Sequence, residues 1–218
     1  RWMNPERGLL PPAQFIPIAE ETGQIIKIDR ILTEKVVRQM AEWREHGIPL
    51  YKVSINYSYS QVSDVHYVDF LEELLKRYNI PPELICIEIT ESLFISNKEA
   101  VSKLLNEFVK RGISLALDDF GTGYSSLSYL TFLPINVVKI DKSLVDNYLS
   151  NEKGDFIKNI VRLVHSLAMK LTVEGVEHQW QNEKLKTFHC DYIQGYYYSK
   201  PISGAEIEDF NRKFRSIG

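Results

Sequence analysis

Six short runs rich in Ile, Val and Leu recur along this chain, and a stretch with helical spacing follows each one. The runs are 51–57 (YKVSINY), 84–90 (LICIEIT), 113–119 (ISLALDD), 136–141 (NVVKID), 171–176 (LTVEGV) and 192–196 (YIQGY). Their brevity and β-branched content fit buried parallel strands. Helical patterns fill the gaps. Over 25–46, Ile28, Leu32, Val36, Met40 and Trp43 recur at steps of three and four, and Gly47 stops the pattern. Further helices are expected over 68–78, 98–110 and 155–168, with shorter ones over 181–188 and 205–214. Strand–helix alternation along a whole chain means an α/β fold with a parallel sheet.

Such a sheet closes into a (β/α)8 barrel or stays open and doubly wound. The two parities of the strands help to choose. One side reads Val53, Ile55; Ile85, Ile87, Ile89; Ile113, Leu115, Leu117; Val138, Ile140; Leu171, Val173; Ile193. The other reads Ser54, Asn56; Cys86, Glu88; Ser114, Ala116, Asp118; Val137, Lys139; Thr172, Glu174; Tyr192, Gln194. Period-2 geometry puts each set on one face. One face is greasy, and the other is mostly small below and polar at the C-terminal end. An open sheet carries helices on both faces and needs both greasy. The asymmetry therefore favours a barrel, whose chemistry sits at the C-terminal rim.

The rim set is Asn56, Glu88, Asp118, Asp119, Lys139, Glu174 and Gln194. Clustered carboxylates repel unless a cation stands among them. Hard oxygen ligands without His or Cys select Mg²⁺ or Mn²⁺ over zinc. Acids around adjacent Asp118 and Asp119 suit two ions that clamp a phosphoryl centre. Lys139 can orient a water or neutralise a phosphate. A lone Asp or Glu at a strand end usually caps the next helix or sits in a solvated turn. The weight here comes from six strands agreeing. Asp119 is the weak member, because its parity opposes that of Asp118; it needs local twist to join.

Composition narrows the partners. A net charge of −3 gives no general attraction to DNA, RNA or an anionic bilayer. A polyanionic ligand would need a local cation. No apolar run approaches the length of a membrane span. The two cysteines, Cys86 and Cys190, show no CxxC spacing and fit a reducing cytosol. A Gly-x-Gly turn at Gly121–Gly123, entering a helix, could offer backbone N–H groups to an anion or be a plain turn. Tyr196, Tyr197 and Tyr198 could stack a base. Equally, they could pack under the C-terminal helix, the expectation for Tyr197. Trp2, Trp43 and Trp180 read as packing residues.

At these residues the chain resembles the EAL-domain family of bacterial cyclic di-GMP phosphodiesterases. The resemblance runs through Arg1-Trp2, Asn4-Pro5-Glu6-Arg7-Gly8, Phe15-Ile16-Pro17-Ile18-Ala19-Glu20, Ser54-Ile55-Asn56 and Glu88-Ile89-Thr90-Glu91-Ser92. It continues through the stretch from Asp118 to Leu127, Val138-Lys139-Ile140-Asp141, Glu174-Gly175-Val176-Glu177 and Gln194-Gly195-Tyr196. The blocks in this order are specific, and they span essentially residues 1–218 as one domain.

The resemblance implies a modified TIM barrel that hydrolyses cyclic di-GMP to linear pGpG with two Mg²⁺ or Mn²⁺ ions. It implies metal-ligand roles for Asn56, Glu88, Asp118, Asp119 and Glu174. Lys139 is implied to position the attacking water, with Glu174 also catalytic. Glu91 is implied to order the loop after Asp119, and Arg1, Gln194 and Asp141 to contact substrate. It implies a homodimer through that loop, and an upstream sensor or GGDEF domain in a parent protein that can be membrane-tethered. The domain itself is expected in the cytoplasm. The family's signature glutamate would lie upstream of Arg1. The chain is therefore expected to lack one metal ligand and the first one or two strands, and to be weak or inactive alone. Tyr57 stands where the family usually has Leu, and Val173 where it usually has Ala. The rival expectation is a degenerate domain that senses cyclic di-GMP or docks a protein. A metal hydrolase for another phosphodiester follows only if guanine does not bind.

Overall fold

The computed structural model describes residues 1–94, 98–121, 127–150 and 155–215. The chain opens with an antiparallel hairpin, β1 (Trp2–Asn4) and β2 (Gly8–Leu10). Helices α1 (Ile16–Glu21) and α2 (Ile25–Glu45) follow. Strand and helix then alternate: β3 (Val53–Tyr57), α3 (Tyr67–Tyr78), β4 (Ile85–Thr90), α4 (Lys98–Lys110), β5 (Ser114–Phe120) and α5 (Leu127–Phe132). Next come β6 (Val137–Ile140), α6 (Lys142–Tyr148), α7 (Asp155–Ser166), β7 (Lys170–Val173), α8 (Gln179–Thr187), β8 (Tyr192–Ile193) and α9 (Ile207–Arg215).

Strands β3 to β8 form one parallel sheet in sequential order. That order decides the architecture. Parallel crossovers share one hand, so a sheet that never reverses its order places every helix on the same face. A doubly wound sheet reverses once and is covered on both faces. The sheet is the arc of a TIM-type barrel, as the asymmetric parities imply.

Burial follows the same division. On the helix side, Ile85, Ile87, Ile89, Leu115, Val138, Ile140, Leu171 and Val173 are fully buried. They merge with Leu71, Leu105, Phe108, Val161 and Val164 from the helices into one core. The other side encloses a cavity of about 560 Å³, lined from all six parallel strands, from Ser54 on β3 to Tyr192 on β8.

Elements absent from the sequence reading are the hairpin, α1 and α6. Each is short, so periodicity has few residues to act on. The runs over 171–176 and 192–196 pair only as Lys170–Val173 and Tyr192–Ile193. Glycines explain the early ends. Gly175 adopts φ +70° directly after Glu174. At Gly195 the backbones close up: Val176 N donates to Gln194 O at 3.1 Å. A Cβ on Gly195 would stand 2.0 Å from the Val176 carbonyl oxygen. Of the tryptophans, Trp43 donates to Gly204 O at 2.9 Å, whereas Trp2 and Trp180 remain about half exposed.

Gly195→Ala is therefore expected to destabilise the fold by about 2–3 kcal/mol, the usual cost of overpacking a closed site. Urea unfolding followed by circular dichroism checks this; a loss within the scatter of surface substitutions would show that the two backbones part freely.

Candidate active site

Lys139 on β6 points to the inner face, where its ammonium meets three carboxylates. It stands 2.9 Å from Glu88 Oε2, 3.0 Å from Asp118 Oδ1 and 2.7 Å from Glu174 Oε1. The Lys139 and Glu88 side chains are only 7% and 10% exposed, so water screens their pair little. Glu88 lies on β4 and Lys139 on β6, with β5 between them. Next-nearest strands are roughly 10 Å apart. The pair must therefore cross over β5, and the β5 residue registered with Glu88 is Ala116, small and buried. A larger side chain there would stand in the path.

Asp118 and Asp119 both belong to the rim because β5 is irregular. Leu117 pairs with Val138, but Phe120 pairs with Ile140. One extra residue is accommodated on β5, a β-bulge. Asp119 takes φ 55°, and its N–H donates to Asp118 Oδ1 at 3.1 Å. Phe120 returns to the helix side and is buried. This is the local twist that the opposed parities demand.

The other candidates are placed as follows. Asn56 pairs in register with Glu88, which sets both on the inner face. Glu174 stands just past the paired part of β7, with its N–H on Ile140 O at 3.0 Å. Gln194 lines the cavity under the cluster. Glu91 opens a 3-10 turn, Glu91–Phe94, that packs against β5. Asp141 is the N-cap of α6, accepting from Ser143 N at 2.8 Å. This is the ordinary role of a strand-end acid, and hydrogen bonds from the Ser143 side chain and then from the backbone hold the Asp141 carboxyl below its usual range. Arg1 lines a different cavity, of about 930 Å³, between the N-terminal hairpin and helices α1 and α2. Tyr196 and Tyr197 are exposed, and Tyr197 packs edge-on against Tyr198. Gly123 and the rest of 122–126, which carry the expected anion turn and dimer contact, lie outside the described residues.

The electrostatics are those of a crowded acidic rim. Burial, then the charges of Asp118 and Asp141, push the Asp119 carboxyl up. Burial likewise raises Glu174, against the pull of Lys139. Burial alone would lower the Lys139 ammonium. The hydrogen bond that Lys139 donates to Glu174 and the charge of Glu88 outweigh it, and the net shift is upward. Three carboxylates thus contact a single ammonium and Asp119 adds a fourth acid to the rim, so acids outnumber bases in a half-buried site.

That charge and donor set bear on a metal. Among the described residues no three His, Cys, Asp or Glu side chains converge in ligating geometry. The convergence is on Lys139 instead, which takes one oxygen from each of Glu88, Asp118 and Glu174. The oxygens at this rim, with the amide of Asn56, are hard donors suited to Mg²⁺ or Mn²⁺. The donor chemistry fits such ions, with Lys139 as the group that shares the carboxylates.

The comparisons with known proteins agree with this geometry. The family model of the EAL domain matches residues 1–201. The chain is 37% identical over 211 residues to the signaling protein YkoW of Bacillus subtilis, covering 96% of this chain and 26% of that protein. It is 36% identical over 208 residues to the oxygen sensor protein DosP of Escherichia coli, covering 95% of this chain and 26% of that protein. The chain thus spans about a quarter of these relatives. Among solved structures, the PaMucR phosphodiesterase in complex with c-di-GMP superposes with a TM-score of 0.87 at 33% identity, over 95% of this chain and 84% of that one.

Two outcomes test the cluster. Lys139→Met leaves buried carboxylates facing one another and should cost about 3–5 kcal/mol near neutral pH. The raised Lys139 group contributes stability fully present below its ordinary pKa and lost as pH rises through its higher folded value. The deficit of the variant should therefore hold from neutral pH to about pH 10, and shrink in acid as the carboxyls protonate. Denaturant titrations of both proteins across pH check it; a deficit independent of pH would contradict the ion pairs. Ala116→Leu should separate Lys139 from Glu88 and cost about 1–3 kcal/mol.

Proposed function

This chain belongs to the EAL domain family, and from that premise we propose that it hydrolyses cyclic di-GMP to linear pGpG with Mg²⁺ or Mn²⁺. The observation that carries the reading is the Lys139 cluster, with Glu88, Asp118 and Glu174 fixed at the C-terminal rim of the parallel sheet. The family match and the phosphodiesterase relatives support it, among them the cyclic di-GMP phosphodiesterase PdeR of Escherichia coli.

Asn56, Glu88, Asp118, Asp119 and Glu174 would hold the ions. A pair of such ions lowers the pKa of water and stabilises charge on the attacking and leaving oxygens. The protein's own part is positional. Lys139 fixes the orientation of its three carboxylates, and its proton-rich ammonium stands where a water can be aimed at phosphorus. Glu174, with its carboxyl raised by burial, is placed to take a proton from that water. Water adds to phosphorus, the bond to the 3′ oxygen breaks, and the proton passes to that oxygen. The Asp118–Asp119 bulge brings two carboxylates to one point of the rim, which a regular strand cannot do. Gln194, on the wall of the cavity, is suited to the substrate's polar edge. Glu91 would order the loop after Asp119, and Asp141 and Arg1 would contact substrate. We also assign the domain to the cytoplasm, where the two free cysteines stay reduced. Among the described residues no helix is long and apolar enough to cross a membrane.

The test is release of pGpG from cyclic di-GMP, resolved by chromatography, by this chain extended upstream through the family's signature glutamate, with Mg²⁺ and then with excess EDTA. Turnover should vanish in EDTA and return with Mn²⁺. Asp118→Asn should lower kcat at least about 100-fold, the scale of a small misplacement at the reacting centre. Tight cyclic di-GMP binding with no turnover in either metal would favour the sensor reading instead. Metal ligands must be deprotonated, so thermal stabilisation by Mn²⁺ should be larger at pH 8 than at pH 5.5.

A further inference from the structure

Helix α8 carries in its first turn two adjacent polar side chains that the chemistry above leaves unused. Gln181 and Asn182 are each 4% exposed. A buried amide costs stability unless its hydrogen bonds are made. Here both side-chain oxygens are bonded, and each reaches a different rim loop. Gln181 Oε1 accepts from Glu177 N at 2.8 Å and from His178 N at 2.9 Å. Asn182 Oδ1 accepts from the Tyr198 hydroxyl at 2.6 Å. An ordinary capping box accounts for the bond from His178, the N-cap residue. The bond from Glu177 lies one residue before the cap, inside the loop that follows Glu174.

Those two loops carry the rim residues that stand just past the regular ladder. Pairing between β7 and β8 stops at Val173 and Ile193, directly before Glu174 and Gln194. Next to Glu174, Gly175 takes φ +70°, in the left-handed region where glycine bends the chain without strain. The segment that follows each residue therefore helps to set its direction. The two segments grip each other. Val176 N donates to Gln194 O at 3.1 Å, and Tyr197 N donates to Val176 O at 2.9 Å. Val176 between them is fully buried. The loops are thus joined as one piece, and α8 holds that piece at two points, Glu177 through Gln181 and Tyr198 through Asn182.

We propose that Gln181 and Asn182 are positioning residues that fix Glu174 against Lys139 and Gln194 on the cavity wall. The proposal rests on the reading of Glu174 and Gln194 as site residues. The two amides act through backbone N–H groups and a tyrosine hydroxyl, and not on substrate or ion. Removing partners that orient site residues from behind typically costs roughly 10–100-fold in affinity or activity.

Gln181→Met, Gln181→Glu and Tyr198→Phe are compared with Lys184→Met. Lys184 is the control because it leaves the same helix for a different target, Leu149 O at 2.5 Å. The first readout needs neither metal nor substrate. In the chain made with isotopically labelled lysine, the Lys139 ammonium, 2.7 Å from Glu174 Oε1, is assigned by its loss in Lys139→Met. Its resonance should shift in Gln181→Met and Tyr198→Phe and stay in place in Lys184→Met. Hydrogen exchange should quicken over residues 174–178 in Gln181→Met and not in Lys184→Met. The second readout is turnover of cyclic di-GMP by the chain extended upstream through the family's signature glutamate. There kcat/KM should fall about 10–100-fold in Gln181→Met and stay within about twofold in Lys184→Met. Gln181→Glu keeps an acceptor for both N–H groups and should recover kcat/KM to within about threefold of the parent. Tyr198→Phe carries the comparison should Gln181→Met not fold. An unmoved Lys139 resonance in Gln181→Met and Tyr198→Phe would overturn the positioning role. So would parent-like turnover in Gln181→Met while Glu174→Gln is impaired, or equal effects in Lys184→Met, which would reduce them to helix stability. Undiminished turnover in Glu174→Gln would instead overturn the catalytic reading beneath, and the Lys139 resonance would still decide the positioning.

Discussion

One ammonium among too many carboxylates is the interaction on which the rest of this structure depends. Lys139 binds Glu88, Asp118 and Glu174 together, so strands β4 to β7 are joined through a single side chain. Removing charges from water is costly, and a pair survives burial only with good geometry. Here the geometry is good and the stoichiometry is poor. The acids outnumber the base, and the raised Asp119 and Glu174 carboxyls register the imbalance. A site of this kind is stable enough to fold and still short of positive charge.

The rim residues reach their places in two ways. Glu88 and Lys139 are set by strand register alone, inside regular β-structure. Asp119 depends on a departure from it, the bulge on β5, whereas Glu174 keeps the alternation of β7 just before the left-handed Gly175. Regular pairing alternates sides, so adjacent residues cannot share a face. Two consecutive acids at one point therefore require a break in the ladder. The break falls at the last turn of pairing, where few hydrogen bonds are lost. Phe120 recovers the helix-side parity at once and is buried in the core.

Much of this was legible in the sequence, because strand parity is a local signal. Period-2 alternation alone put Glu88, Lys139 and Glu174 with Asp118 on the polar face. It also marked Asp119 as the residue in conflict, and the conflict is where the bulge lies. Sequential strand order was not visible, but its consequence was, as one greasy face and one polar one. What stayed hidden depends on contacts between distant segments. Arg30 and Asp64 are 34 residues apart on elements whose periodicities say nothing of each other. Asp141 spends its carboxylate on the first turn of α6, a helix too short to have announced itself. Ala116 looked like any small strand residue until Glu88 and Lys139 were seen to meet across it.

The residues of the rim are supported in two ways. At the centre, strands β4, β5 and β6 brace one another, and charge pairing finishes the task. Beyond Asn56 the chain leaves the sheet in a turn that closes on itself through Tyr57 and Gln61. A turn is a weaker brace than a strand unless its own polar groups are satisfied inside it. Among the described residues, the Tyr57 hydroxyl and the Gln61 side-chain oxygen close this one, Ser58 Oγ and Gln61 Nε2 are buried without a partner, and the Arg30 fork ties the turn to the longest helix. The charge pairing on Lys139 and the Arg30 fork thus share no side chain, and each can be altered without touching the other.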